Sequence, residues 1–191
     1  MSGASGAGKS SVRARVASAL EPRVRCVELR DLVEIPAWPD IAWRQRTTEY
    51  AVQQALELQA EGRHLMLAGD PVAPGELLAA PSADRLEATA ICLLDCAPEA
   101  QTARLAARGD DPALLPHHIA FADWMRGHAA DPGWMPHVLT GDGWPEMRWD
   151  RWSAWSAGDP RWRVDVIDTT ALAIPEVADR VLAWAERAIS R

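Results

Sequence analysis

The stretch Gly3-Ala4-Ser5-Gly6-Ala7-Gly8-Lys9-Ser10, continued by Ser11, decides the reading of this chain. It fits the pattern G-x-x-x-x-G-K-[ST] at every fixed position. Glycines at 3, 6 and 8 let the backbone take conformations closed to residues with a side chain, and let it approach a ligand closely. Successive N–H groups then turn inward as an anion nest at the start of a helix, where the helix end adds partial positive charge and unpaired donors. Lys9 is the sole lysine, beside nineteen arginines. A compact ammonium on a flexible stem suits a phosphate at this place, whereas a guanidinium is bulkier and donates in a rigid fork. In this pattern the lysine reaches the β- and γ-phosphates and the Ser10 hydroxyl holds Mg²⁺. Val12–Leu20 (VRARVASAL) reads as the helix directly behind the loop.

Such a loop should follow a buried hydrophobic strand, yet only Met1 and Ser2 precede it. That strand belongs in the middle of a sheet, and its loss would leave neighbouring strands unpaired. The expectation is a missing or truncated first strand, with upstream in-frame sequence encoding about five apolar residues.

Working outward, Val24–Leu29 (VRCVEL) reads as a strand ending near Arg30-Asp31, and Asp40 caps a long helix over 41–60 that Gly62 stops. His64–Gly69 (HLMLAG) is a short apolar strand ending at Asp70, Glu76–Ala80 is helical, and Thr89–Leu94 (TAICLL) is a buried strand ending at Asp95. Pro98 opens a helix over 99–107, Arg163–Ile167 is the last strand, ending at Asp168, and the closing helix runs over about 175–189. Short apolar strands alternating with helices imply an α/β fold with a parallel sheet covered on both faces. Ligands in such sheets bind outside the carboxyl ends of the strands, where Asp31, Asp70, Asp95 and Asp168 stand.

The segment 109–160 breaks this rhythm. It carries Pro and Trp in abundance and holds His117, His118, His128 and His137; seven of the ten Trp fall between Trp124 and Trp162. A stretch of this length in a compact domain is usually functional, often a lid, with 117–128 helical. The histidine spacings fit no standard zinc pattern and no Cys joins them, so Trp and His are read as lid packing.

At 191 residues the chain is read as a single domain, and its net charge of −7 argues against nucleic acid or an anionic membrane as partner. Cys26, Cys92 and Cys96 are odd in number and lie in or beside strands, as reduced buried thiols of a cytoplasmic protein would. No apolar run reaches membrane-spanning length.

The loop GASGAGKSS, the strand ending Leu94-Asp95 with Arg104 and Arg108 after it, and the tail VIDTT…IPEVADRVLAW together resemble the small P-loop kinases of the adenylate, shikimate and gluconate kinase type. The resemblance implies a doubly wound, three-layer domain that binds ATP and Mg²⁺ and transfers the γ-phosphoryl group to a small acceptor beneath an Arg-bearing lid over about 109–160. It places the nucleotide on Gly3, Ala4, Ser5, Gly6, Ala7, Gly8, Lys9, Ser10 and Ser11. Mg²⁺ falls to Ser10 and Asp70, and the transferring phosphoryl group to Lys9, Arg104 and Arg108, with Arg126 as a weaker third arginine. The acceptor-binding region is then about 31–60. There Asp31 can take the acceptor hydroxyl proton, Arg44 or Arg46 can grip an anionic group, and Trp38 and Trp43 can stack on it. A nucleotide-hydrolysing switch and a non-catalytic regulatory module are the alternatives. The guanine-specificity signature N-K-x-D is excluded, since it needs a second lysine, and this argues against a GTPase.

Overall fold

The computed structural model describes residues 1–69 and 71–190 as a mixed α/β structure. Its elements are α1 (Lys9–Leu20), β1 (Val24–Val27), α2 (Leu29–Leu32), α3 (Ile41–Ala60), β2 (His64–Leu67), α4 (Pro74–Ala79), β3 (Ile91–Asp95), α5 (Pro98–Arg108), α6 (Leu115–Ala130), α7 (His137–Thr140), β4 (Val164–Asp168) and α8 (Ile174–Ile189). β1 pairs in parallel with β2, from Val24 opposite His64 to Val27 opposite Leu67. β3 pairs in parallel with β4, from Ile91 opposite Val164 to Asp95 opposite Asp168. The two pairs are separate two-stranded sheets.

Met1 and Ser2 stand between them. The Ser2 N–H donates to the Cys92 carbonyl at 2.8 Å, its carbonyl accepts from the Leu94 N–H at 2.8 Å, and the Met1 ammonium donates to the Leu67 carbonyl at 2.9 Å. This two-residue stub touches β2 on one side and β3 on the other, where the expected first strand would run.

Apolar periodicity explains which faces meet. Val12, Val16 and Leu20 of α1 recur every four residues and pack against Val177, Val181 and Trp184 of α8. Side chains alternate across β3: Cys92 and Leu94 join that α1–α8 core, whereas Leu93 faces Trp124, Met125 and Ala129 of α6. On the other pair, Leu65 and Leu67 pack with Leu29 and with Ala51 of α3. α3 begins where the Asp40 carboxylate accepts the Trp43 N–H at 2.5 Å.

The strand expected over 24–29 is shorter. It ends at Val27, because the Asp31 carboxylate accepts the Glu28 N–H at 2.8 Å and the Asp31 N–H donates to the Glu28 carbonyl at 3.0 Å, which starts the single turn of α2. Satisfying two helical N–H groups locally competes with continuing the ladder. The strand expected over 89–94 spans Ile91–Asp95 instead.

The Trp- and His-rich segment is built around α6 and α7. Trp152 and Trp162 pack with Met147 and with Ala79 of α4, and the Trp152, Trp162 and Trp124 indoles donate to the carbonyls of Gly75 (2.9 Å), Ala129 (3.0 Å) and Met135 (3.2 Å). Their polar N–H groups are thereby satisfied inside an apolar cluster. All three cysteines are free and burial pushes each thiol up, Cys92 to about 11, which leaves little thiolate for nucleophilic chemistry.

His128 sits fully buried at the centre of this cluster, with Trp124, Trp152 and Trp162 ring centroids at 5.1, 5.6 and 5.0 Å. Neither ring nitrogen has a hydrogen-bond partner among the described residues. Burial drives its pKa down to about 4, opposed only in part by the Trp134 backbone and the Asp131 charge. Below its ordinary value of about 6.5 the unfolded chain takes up a proton that the folded one refuses, so stability falls with pH until about 4. The expected loss over that window is about 3 kcal/mol at most from this group. Urea unfolding at pH 7 and pH 4.5 should show a steeper loss for the natural chain than for His128→Leu; parallel profiles would refute the assignment.

Candidate functional site

The Gly3–Ser11 loop connects the stub to α1. Its glycines take positive φ: 151° at Gly3, 83° at Gly6 and 96° at Gly8. At Gly3 the need is steric as well, since a Cβ there would stand 2.4 Å from the Leu94 carbonyl oxygen. The loop can therefore lie flat against the end of β3 only with glycine at this position. Among the described residues, the N–H groups of Gly6, Gly8, Ser10 and Ser11 have no hydrogen-bond partner. They gather at the N-terminus of α1, where the helix end adds partial positive charge. Lys9 is buried to 7 % exposure, with Nζ donating to the Ala4 carbonyl at 2.9 Å, while Ser10 and Ser11 are exposed at the mouth. The loop thus brings N–H donors and a helix start together beside the exposed Ser10 and Ser11.

Arg104, on α5, reaches this loop. Its guanidinium donates to the Gly6 carbonyl at 3.3 Å and to the Thr169 hydroxyl at 2.9 Å, and it also meets the Thr169 carbonyl. It ties the loop to the turn after β4. Arg108, one helical turn on, points elsewhere: it is exposed and held by Asp110, which raises its pKa. The structure thus divides the two arginines that the spacing joined.

Arg126, on α6, comes to the strand ends. It donates to both oxygens of Asp95 at 2.7 and 3.0 Å and to Asp123 at 2.6 Å, and the Asp95 hydrogen bonds raise its pKa. Of the arginines read from sequence, Arg104 and Arg126 are those brought to the loop end of β3.

On the opposite side, Asp31 uses one carboxylate oxygen to accept the Glu28 N–H at 2.8 Å and an Arg13 N–H at 3.3 Å. Its other oxygen has no partner among the described residues, and its side chain is 40 % exposed. Glu28 is 1 % exposed and held by Arg13 at 3.1 Å and by Arg30, packed where a Cβ on Gly69 would collide with it. Sequence reasoning missed Glu28 because it placed the strand end two residues too late. It missed Gln101 and Thr169 too: Gln101, 1 % exposed, donates to the Ser5 carbonyl at 2.8 Å and to the His118 carbonyl at 3.2 Å, bracing the loop against α6. No motif marks such a glutamine. Asp70, read as a Mg²⁺ ligand, lies outside the described residues. Among the described residues no group of three or more His, Cys, Asp and Glu is arranged to hold a metal ion.

Arg44 is committed to structure. Its Nε and Nη2 donate to one oxygen of Glu76 at 2.9 and 2.7 Å, while the other oxygen accepts the Ala73 N–H at 3.0 Å at the start of α4. Glu76 is fully buried. Glu76→Ala is expected to cost about 3 kcal/mol, because it strands a half-buried guanidinium and uncaps α4. A shift in urea midpoint worth less than about 1 kcal/mol would show that the pair carries no such load. Arg46 is exposed and makes no hydrogen bond or ion pair among the described residues, and Trp38 is 90 % exposed.

No protein-family model matches the chain, and no match to a curated protein was found. Any functional reading therefore rests on the residues themselves.

Proposed function

We propose that this protein binds a nucleoside triphosphate, ATP in the first instance, on the Gly3–Ser11 loop and transfers its terminal phosphoryl group to a small cytoplasmic metabolite. The observation that carries the reading is the loop: three glycines at positive φ, open N–H groups at a helix start, and the chain's only lysine. In the same reading the two sheets are halves of one doubly wound, three-layer domain joined through the Met1–Ser2 position.

The N–H groups of Gly6, Gly8, Ser10 and Ser11 would receive phosphate oxygens, and the Lys9 ammonium would balance the charge on the terminal two phosphates. Ser10, with Asp70, would hold Mg²⁺, whose part is to neutralise charge across those phosphates. Arg104 acts as a positioning residue, since it grips the Gly6 carbonyl and so sets the loop's shape. Arg126 is pinned by two carboxylates, and a phosphoryl group at the loop competes with them for its guanidinium. Asp31 keeps one oxygen open for an acceptor hydroxyl proton, oriented by Arg13 and the Glu28 N–H. Arg46 and Trp38 are open to an acceptor, while Arg44 is not. Transfer of this kind gains most of its rate from positioning and charge neutralisation.

The test is ADP release from ATP and Mg²⁺ against pooled sugars, sugar acids, nucleosides and amino-alcohols. Acceptor-dependent release supports the reading. Release with water alone, unchanged by any acceptor, makes the protein a nucleotide-hydrolysing switch instead. Absence of nucleotide binding removes both.

A further inference from the structure

Gln101 lies in the first turn of α5 and is 1 % exposed, between the loop and α6. Its Nε2 donates to the Ser5 carbonyl at 2.8 Å and to the His118 carbonyl at 3.2 Å, so a single amide spans from the loop to the start of α6. Both partners are acceptors, and this dictates that the NH₂ end of the amide faces them. The other end, Oε1, is buried with no hydrogen-bond partner among the described residues. Desolvation of an unpaired buried acceptor offsets what two neutral hydrogen bonds contribute. Gln101 therefore adds little to net stability. What it adds is a connection between two elements.

On the loop side the connection is tight. The Ser5 carbonyl and the Gly6 N–H belong to one planar peptide unit and point in opposite directions. That N–H has no partner among the described residues, so an anion received there fixes the plane and aims the carbonyl at Gln101. Gly6 also presses on the glutamine stem: a Cβ built on it would stand 3.3 Å from Gln101 Cγ and 3.4 Å from Leu105 Cγ. Arg104, on the same face of α5, holds the Gly6 carbonyl at 3.3 Å. On the α6 side the packing is thinner. A cleft of about 50 Å³, lined in part by Thr102, Leu105, Ala106, Leu115 and His118, opens between α5 and the start of α6. Further along, Trp124, Met125 and Ala129 seat α6 firmly on Leu93, so its freedom lies in the first two turns. We propose that Gln101 is a positioning residue that links occupancy of the loop to the placement of those two turns, holding them beside the loop when it carries a triphosphate. The inference rests on nucleotide binding at the loop, and it names the contact through which the 109–160 segment senses that binding.

The test is amide exchange of the natural chain and of Gln101→Met, each with and without saturating ATP and Mg²⁺. In the natural chain ATP is expected to slow exchange at Gly6, Gly8, Ser10 and Ser11 and, by about tenfold, at the helical amides of 119–122. In Gln101→Met the loop amides should still respond while 119–122 do not. The same variant should lower kcat for phosphoryl transfer about tenfold, leave the Kd for ATP within about threefold and keep Tm within about 3 °C. Gln101→Asn keeps the amide but is one methylene too short to reach both carbonyls, so it should uncouple in the same way and decides the matter if Gln101→Met does not fold. Protection of 119–122 that persists in the folded variants overturns this inference alone, as does a natural chain whose loop responds to ATP while 119–122 do not. A natural chain whose loop amides ignore ATP overturns the nucleotide reading and this inference with it.

Discussion

Lys9→Ala is expected to weaken nucleotide binding about 10- to 100-fold and to reduce phosphoryl transfer by a further factor of about 10² to 10³. Lys9 as a residue is 7 % exposed, so its charge acts in a poorly screened place beside the loop's open N–H groups. Lys9→Arg should rescue little. The bulkier fork must enter a site where Nζ already lies 2.9 Å from the Ala4 carbonyl, and charge alone does not restore that geometry. Nucleotide titration followed by tryptophan fluorescence gives the binding arm, and coupled ADP release gives the transfer arm. Thermal unfolding must show each variant folded for the comparison to count. If Lys9→Ala binds and turns over nucleotide as the natural chain does, the loop is not the nucleotide site.

Trp152→Ala is expected to cost about 4 kcal/mol, which lowers Tm by roughly 10 °C in a chain of this size. The indole is 2 % exposed, lies 5.6 Å from both His128 and Trp162 between ring centroids, and donates to the Gly75 carbonyl at 2.9 Å. Truncation leaves a cavity and an unpaired carbonyl together. Trp152→Phe keeps most of the volume and loses the hydrogen bond, so about 1 to 2 kcal/mol is expected. These losses would establish that the 109–160 segment is anchored on α4 through Trp152. A Tm unchanged by Trp152→Ala would instead mark the segment as loosely docked.

The sequence-based boundaries held where the signals were strong and local. The helix over 41–60 was bounded by Asp40 and Gly62, and both serve as expected: the carboxylate accepts the Trp43 N–H, and Gly62 takes φ 69°. Boundaries slipped where a short-range alternative existed. VRCVEL has β-forming residues throughout, but the Glu28–Asp31 hydrogen bonds convert its end to a helical turn. That slip hid Glu28, the buried carboxylate, behind the exposed Asp31.

By itself the sequence determined the glycine-rich loop ahead of a helix, the order of strands and helices and the mixed α/β class, because these follow from glycine placement and from short-range periodicity. Only the tertiary structure decided which side chains meet. Arg104 and Arg108 have the same spacing signal, yet one braces the loop and the other is spent on Asp110. Arg44 looks like a ligand-gripping residue until Glu76 is seen folded against it, thirty-two residues along the chain. Ion pairs and backbone contacts between distant elements depend on how helices rotate onto strands, and no local pattern encodes that rotation.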